Sequence, residues 1–544
     1  MTLPRRARRP RALAAALLVL LALGGALTAS EHGVPRAVGE PVTVWLTTTD
    51  DKGGRHVVRG LEKQRPFVFR EGTGGPGVRL GVDEHSRFQP FTGGGASFTD
   101  SAAWLLNSSG ALPRATREKV MRRLFSPEDG IGLSFLRNPM GASDLARYPY
   151  SYDDLPEGKS DPDLSGFSLR HDLADVVPLT RQALRLNPEL TVMASPWSAP
   201  GWMKDSGKLR GGWLNARYYG TYARYFVKYL RGYRDQGIPV RYVTVQNEPT
   251  CCAGYPSMSW SGTSLHYFTK EELLPRLKAA GLSTKVLAHD WNWNTYQKYG
   301  APTVDDPEVR RHPNFGGVAW HGYGSGIDRQ QRTHSRYPGL PAFGTEHSGG
   351  DWVEDQQSAD MHDIIDYSRN WARSVTKWSL ALDQDQGPHS GGCGVCTGLV
   401  TVHHGDGQPG RVEYTVEFYT MGHLTKFVRP GARRIASTAS EAVPNVAWRN
   451  PDGSKALIAY NESRRPRTIT LDWGGAHATY TLPGRTSATF TWSGAQGAAP
   501  PALGEQERRG GTGALAPRPA ARRQRRAAGR RAQSVGSTPA RSSP

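Results

Sequence analysis

The sequence predicts an α/β chain: a (β/α)₈ barrel with an associated β-sandwich formed by both chain ends. Three observations carry this. Eight short apolar runs recur through the middle of the chain, most of them followed by amphipathic helical stretches, and such alternation builds a parallel sheet closed into a barrel. After Phe427 the pattern shortens to two-residue steps in NVAWRNPDGSKALIAYNES, TITLDW, ATYTL and SATFTW, which marks antiparallel strands around a PDG turn. Residues 41–70 look similar and precede the first barrel run. One sandwich built from both ends is the economical arrangement.

Taken in order, the chain opens with Arg5, Arg6, Arg8, Arg9 and Arg11, an apolar stretch from Ala12 to Ala26, and then small residues. This is the pattern of a signal peptide over residues 1–29, cut after Ala26 or Ala29, and it predicts a secreted protein. The stretch is short for a membrane span, which needs ~20 apolar residues, and nothing else in the chain could cross one. Residues 37–84 are assigned to the sandwich, 85–428 to the barrel and 429–493 to the sandwich again. The barrel runs are FTGGGASFTD (91–100), LSFLRNPMGASD (133–144), LTVMASPW (190–197), VRYVTVQNEP (240–249), TKVLAHDW (284–291), GGVAWHGYG (316–324), AFGTEH (342–347) and TKWSLALDQ (376–384). Between the third and fourth, Tyr218, Tyr222, Phe226, Tyr229 and Tyr233 recur at helical spacing.

The formal charge of +19 sits largely at the ends: five arginines before residue 12, and ten after Gly494 against Glu505 and Glu507. The body keeps an ordinary balance, so a nucleic-acid partner loses its support. Residues 494–544, rich in Ala, Pro, Gly and Arg, hold too little apolar surface to fold and are expected to be disordered. They could contact an anionic cell surface or be a solvated extension. Of four cysteines, Cys251 and Cys252 are adjacent, and Cys393 and Cys396 frame Gly-Val. In an exported chain they are disulfide candidates of open connectivity. A vicinal pair suits a zinc site poorly.

Polar or aromatic side chains stand at the ends of most barrel runs: Asp100, Asn138, Asp144, Trp197, Asn247, Glu248, Asp290, His321, Tyr323 and Glu346. In this fold chemistry gathers at those ends. Glu248 closes the fourth run and Glu346 the seventh, placed to aim two carboxyls into one mouth. Hydrolysing a glycosidic bond with retention needs such a pair ~5–5.5 Å apart, one to protonate the leaving oxygen and one to attack the anomeric carbon. Asn247, beside Glu248, is suited to a sugar 2-hydroxyl. No metal or other cofactor is needed for this chemistry.

From residue 85 to Trp492 the chain resembles glycoside hydrolase family 30, in its branch of glucosylceramidases (acid β-glucosidases) and β-1,6-glucanases. The likeness rests on FTGGGASFTDSAAWLL, LRNPMGASDL, ASPWSAPGWMK, VQNEP, VAWHGYG, TEHSGG and WSLALDQDQGP, in that order. It implies Glu248 as acid/base and Glu346 as nucleophile. It also implies that Asp144, Trp197 and Asn247 hold the −1 sugar, with His321, Tyr323 and Trp378 lining the pocket. The expected substrate is a carbohydrate or glycolipid with a β-glucosyl linkage. Another sugar, or a barrel that binds carbohydrate without cleaving it, are the alternatives. A zinc hydrolase would have to use His403, His404 and Asp406, an unpromising set on a loop.

Overall fold

The computed structural model describes residues 38–249, 254–405 and 407–496. The stretch predicted as a signal peptide, Cys251, Cys252, Asp406 and all but the first residues of the tail lie outside them.

All eight predicted runs form parallel strands: Gly93–Ser97, Phe135–Pro139, Thr191–Ser195, Val240–Thr244, Lys285–Asn292, Phe315–His321, Ala342–Gly350 and Ser374–Trp378. Each pairs with its neighbours in chain order, and the eighth pairs with the first, which closes the barrel. The helix Tyr219–Asp235 buries Tyr222, Phe226, Tyr229 and Tyr233, as their spacing predicts. Among the described residues no helix is long and apolar enough to cross a membrane.

The two chain ends do meet. Pro41–Thr49 runs antiparallel to the last strand, Thr486–Trp492, and Asn445–Arg449 forms a hairpin with Lys455–Asn461 around the PDG turn. The long strand Val78–Pro90 pairs with Arg467–Trp473 at its start and with Arg433–Ser437 further on, through two register shifts. Bulges of this kind bend a strand, and this one leads directly into the barrel. The sandwich has its own apolar core, including Val44, Leu80, Leu457, Leu471, Phe490 and Trp492.

Barrel and sandwich join through buried polar side chains on two barrel helices, Gln356–Arg369 and Val416–Thr425. Gln357 donates to the Thr47 carbonyl at 3.0 Å and to Ser487 at 2.9 Å, and accepts from Thr49 at 2.7 Å. His423 lies between the hydroxyls of Thr47 and Thr489, each 2.9 Å from a ring nitrogen. Burial pushes its pKa down to about 3 from the usual 6.5. The unfolded chain therefore takes up a proton below pH 6.5 that the folded chain refuses until about pH 3. The stability tied to this neutral imidazole is complete above pH 6.5 and is lost as pH falls toward 3. His423→Gln should be less stable than the parent at pH 7.5, and the gap should narrow between pH 6.5 and 4 in urea unfolding.

Candidate active site

Inward positions along the barrel strands recur in steps of two. One layer is apolar: Phe135, Met193, Tyr242, Leu287, Ala319 and Phe343, one from each of strands two to seven. The next layer toward the C-terminal ends is polar and buried: Arg137, Ser195, Thr244, Asp290, His321 and Thr345. On strand five the step is three, because Asp290 is an extra residue between the pairs His289–Ala319 and Trp291–Trp320. His289 and Asp290 have φ of 83° and 54° there. Strand seven carries a matching irregularity: Gly344 faces Trp320 and Glu346 faces His321, leaving Thr345 over. These bulges aim Asp290, and both Thr345 and Glu346, into the barrel mouth.

Arg137 organises this layer. It has no exposed surface, and its guanidinium donates to Glu346 Oε2 at 2.5 Å, to Asp290 Oδ2 at 2.8 Å and to Asn247 Oδ1 at 2.8 Å. Asp290, equally buried, also accepts from Ser195 at 2.7 Å and from Thr244 and Thr345 at 2.8 Å. Burial alone would raise the Asp290 carboxyl, but Arg137, His321 and these hydroxyls hold it far below the usual range. His321 spans from Asp290 Oδ1, 3.1 Å from Nε2, to Glu248 Oε1, 3.0 Å from Nδ1. Burial disfavours its charge, yet Glu346, Asp290 and Glu248 together push its pKa up to about 9. Near neutral pH both ring nitrogens carry protons and both donate.

Strand four ends at Thr244, earlier than its apolar run suggests, and Asn247 and Glu248 lie in the turn beyond it. Two main-chain bonds hold that turn: Asn247 N–H to the Pro196 carbonyl at 2.8 Å and Glu248 N–H to the Asp290 carbonyl at 3.1 Å. Glu248 has φ of 42°, a conformation a non-glycine residue keeps only when its surroundings impose it. Opposite it, Glu346 accepts from the Tyr323 phenol at 2.9 Å. One oxygen of Glu248 and one of Glu346 lie within 4.8 Å of each other. Glu248 is 23% exposed and Glu346 7%. Burial pushes the Glu346 carboxyl up; His321 and Arg137 pull the other way, and the charge of Glu248 adds to the rise. Glu248, His321 and Glu346 are residue types that ligate metals; here His321 is bonded to Glu248, and Glu346 to Arg137 and Tyr323.

Trp197 and Trp378 stack with ring centroids 5.0 Å apart, and the Arg137 guanidinium lies 4.9 Å from the Trp197 ring. Leu145 and Cys396 complete that wall, with Tyr255 and Trp352 packed against it. Asp144 is buried nearby. Burial, then the charges of Glu346 and Glu248, push its pKa up to about 7. Cys393 and Cys396 form a disulfide in the loop after strand eight.

The structure thus gathers Asp144, Trp197, Asn247, Glu248, His321, Tyr323, Glu346 and Trp378 at one mouth. Other strand-end residues serve the scaffold. Asp100 pairs with Arg147 and His171, and Asn138 turns away to donate to Thr180. Trp293, just beyond strand five, is buried against Tyr367. His403 pairs with Glu413 and His404 packs on Trp104. Arg137 escaped sequence reasoning, as did Tyr255 and the central place of Asp290. An arginine inside the apolar run LSFLRNPM was the available signal.

Removing the guanidinium would leave Asp290 buried with His321 as its remaining cationic partner, and breaking a buried pair costs about 3–5 kcal/mol. Arg137→Met should therefore lower the melting temperature by many degrees and reduce turnover at least a hundredfold. Calorimetry and steady-state kinetics at one pH would check both.

Comparison with known proteins agrees with this geometry. Residues 91–428 match the glycosyl hydrolase family 30 TIM-barrel domain, and residues 431–490 match the family's beta sandwich domain. An endo-1,6-β-D-glucanase of Trichoderma harzianum is 32% identical over 488 residues, 83% of this chain and 92% of the relative. The lysosomal acid glucosylceramidase of Mus musculus is 30% identical over 448 residues, 77% of this chain and 84% of the relative. A solved endo-β-1,6-glucanase superposes with a TM-score of 0.74 at 29% identity, over 83% of this chain and 99% of its own. With both of its domains matched and its two acidic residues meeting at one barrel mouth, the chain belongs to glycosyl hydrolase family 30.

Proposed function

We propose that this protein is a retaining β-glycosidase that hydrolyses β-glucosyl linkages by double displacement, with β-1,6-glucan as its substrate. The observation that carries the reading is the approach of Glu248 and Glu346 to within 4.8 Å, too close for the water that an inverting pair must admit between them. Glu346 is the nucleophile. The Arg137 guanidinium and the Tyr323 phenol both donate to it, which favours its ionised form and aims its oxygens. Glu248 is the acid/base: it lies opposite Glu346 at the same mouth and is the more exposed of the two, open to the leaving oxygen and to water.

In the first step Glu346 bonds to the anomeric carbon as the glycosidic C–O bond breaks, and Glu248 passes its proton to the departing oxygen. In the second, Glu248 takes a proton from water, whose oxygen replaces Glu346. Asn247 is fixed by the bond from Arg137 to its Oδ1, so its amide N–H groups are free to meet the sugar 2-hydroxyl. Asp144 takes sugar hydroxyls, and the Trp197–Trp378 wall takes the apolar face of the ring.

Named endo-1,6-β-D-glucanases among the relatives, at 83% coverage of this chain in one case, support β-1,6-glucan. The relatives named glucosylceramidase support a glucosylated lipid as the second reading. The leader MTLPRRARRPRALAAALLVLLALGGALTAS supports secretion. The ten arginines after Gly494 support retention on an anionic surface. Removing residues 497–544 should weaken adsorption to anionic polymers and leave turnover of soluble substrate unchanged.

The deciding assay sets β-1,6-gluco-oligosaccharides beside glucosylceramide and 4-nitrophenyl β-glucoside, with the first-formed anomer read by proton NMR. The β anomer is expected, and the α anomer would overturn the mechanism. Glu346→Gln should abolish turnover of all substrates. Glu248→Ala should slow the oligosaccharide by about 10²–10⁴ and the nitrophenyl glucoside far less, because nitrophenolate leaves without a proton. Equal losses on both would remove Glu248 from its role.

A further inference from the structure

The loop after strand eight is fastened at both of its ends to the active site. At one end, Ser390 N–H donates to the main-chain carbonyl of Asp144 at 2.7 Å, and Cys393 N–H reaches Asp144 Oδ2 at 3.4 Å. Gly392 between them has φ of 75°, and a Cβ there would stand 2.4 Å from Asp144 Cβ and 2.7 Å from the Tyr255 ring. Gly391 lies against Gly254, where a Cβ would meet the carbonyl oxygen at 2.3 Å. At the other end, Cys396 and Thr397 pair antiparallel with Gly350 and Gly349, on the strand that carries Glu346. Asp351 N–H donates to the Val395 carbonyl at 3.0 Å, and Cys396 Sγ is 3.2 Å from Ser348 Oγ. The Thr397 hydroxyl donates to Glu417, itself buried and ion-paired with Lys377.

The disulfide between Cys393 and Cys396 joins these two ends across a sequence separation of three. So small a loop removes little entropy from the unfolded chain, so the bond acts mainly on the folded loop. There it restrains a segment with glycine at 387, 391, 392 and 394, whose backbone has much freedom to lose.

We propose that the Cys393–Cys396 disulfide is a positioning clamp for the −1 sugar: it ties the nucleophile's strand to the segment lying on Asp144 and so fixes Asp144 relative to Glu346. This rests on Asp144 as a sugar-holding group. Without the bond, the Gly391–Gly392 segment is free to lift from Asp144, whose carboxylate then loses its register with the sugar. A displacement of about 1 Å at such a contact costs up to 10²-fold in rate.

The test is a double-mutant cycle on the full chain, reading kcat/KM for 4-nitrophenyl β-glucoside and the Kd of 1-deoxynojirimycin. Cys393→Ser/Cys396→Ser should lower kcat/KM and weaken inhibitor binding at least tenfold. In an Asp144→Ala background the same change should have almost no further effect, because the clamp acts through that carboxylate. Gly392→Ala keeps the sulfur bridge but drives a methyl into Asp144, so it should be non-additive with Asp144→Ala in the same way. It also serves if the double serine variant fails to fold. Wild-type kcat/KM in the double serine variant, or losses that simply add to that of Asp144→Ala, would overturn the clamp. An Asp144→Ala enzyme with unchanged turnover and inhibitor affinity would overturn the role of Asp144 and the clamp with it. Turnover absent from the parent enzyme would instead count against the proposed function, leaving inhibitor binding to decide the clamp.

Discussion

A guanidinium buried without exposure at the floor of the mouth where Glu248 and Glu346 meet is the constraint on which the site depends. Taking the charge of Arg137 out of water costs several kcal/mol, and that of Asp290 as much again. The barrel tolerates both because their bonds are well filled: Arg137 meets Asp290, Glu346 and Asn247, and Asp290 also takes three hydroxyls and an imidazole. Asp290 absorbs the charge of Arg137, and the guanidinium spans the floor of the site. It can then touch both the Glu346 carboxylate and the Asn247 amide without moving either.

The same layer shows how a barrel turns from packing to chemistry within two residues. Phe135, Met193, Tyr242, Ala319 and Phe343 sit two positions before Arg137, Ser195, Thr244, His321 and Thr345. The pleat alone carries the lining from apolar to polar. Where two positions would have aimed the wrong side chain inward, a bulge corrects it: His289 is passed over in favour of Asp290, and Thr345 is inserted so that Glu346 follows it into the mouth. The positive φ values at His289, Asp290 and Glu248 are the backbone's share of that correction, and the main-chain bond from Glu248 to Asp290 ties two of them together. Such conformations persist only where the surroundings over-determine them.

Charge placement distinguishes the two acids. Glu346 lies under Arg137, beside the Tyr323 phenol and deeper in the mouth, whereas Glu248 meets His321 and opens further to the cleft. The first environment surrounds a buried carboxyl with fixed donors, and the second leaves Glu248 held by His321 and open to the cleft.

By itself the sequence determined the architecture and which two acidic residues meet at the barrel mouth. Strand–helix alternation and its switch to two-residue steps are local, repeated signals, and a strand-end Glu in a barrel points to the mouth wherever the neighbouring strands lie. What it could not determine is whatever depends on register between strands far apart in the chain. Arg137 reads as a stray charge in an apolar run until the closed barrel brings strands two, five and seven to face one another across its interior. Asp290 reads as one more strand-end acid until the bulge turns it inward, and Asn138 looks like a site residue until the pleat turns it out toward Thr180. Cys393 and Cys396 were legible as disulfide candidates of open connectivity, but their pairing and their contacts with Asp144 and the strand of Glu346 exist only once the loops fold over the barrel. Local periodicity is written in the chain; the direction of a single side chain at a bulge, and the partner it meets, are fixed by tertiary pairing alone.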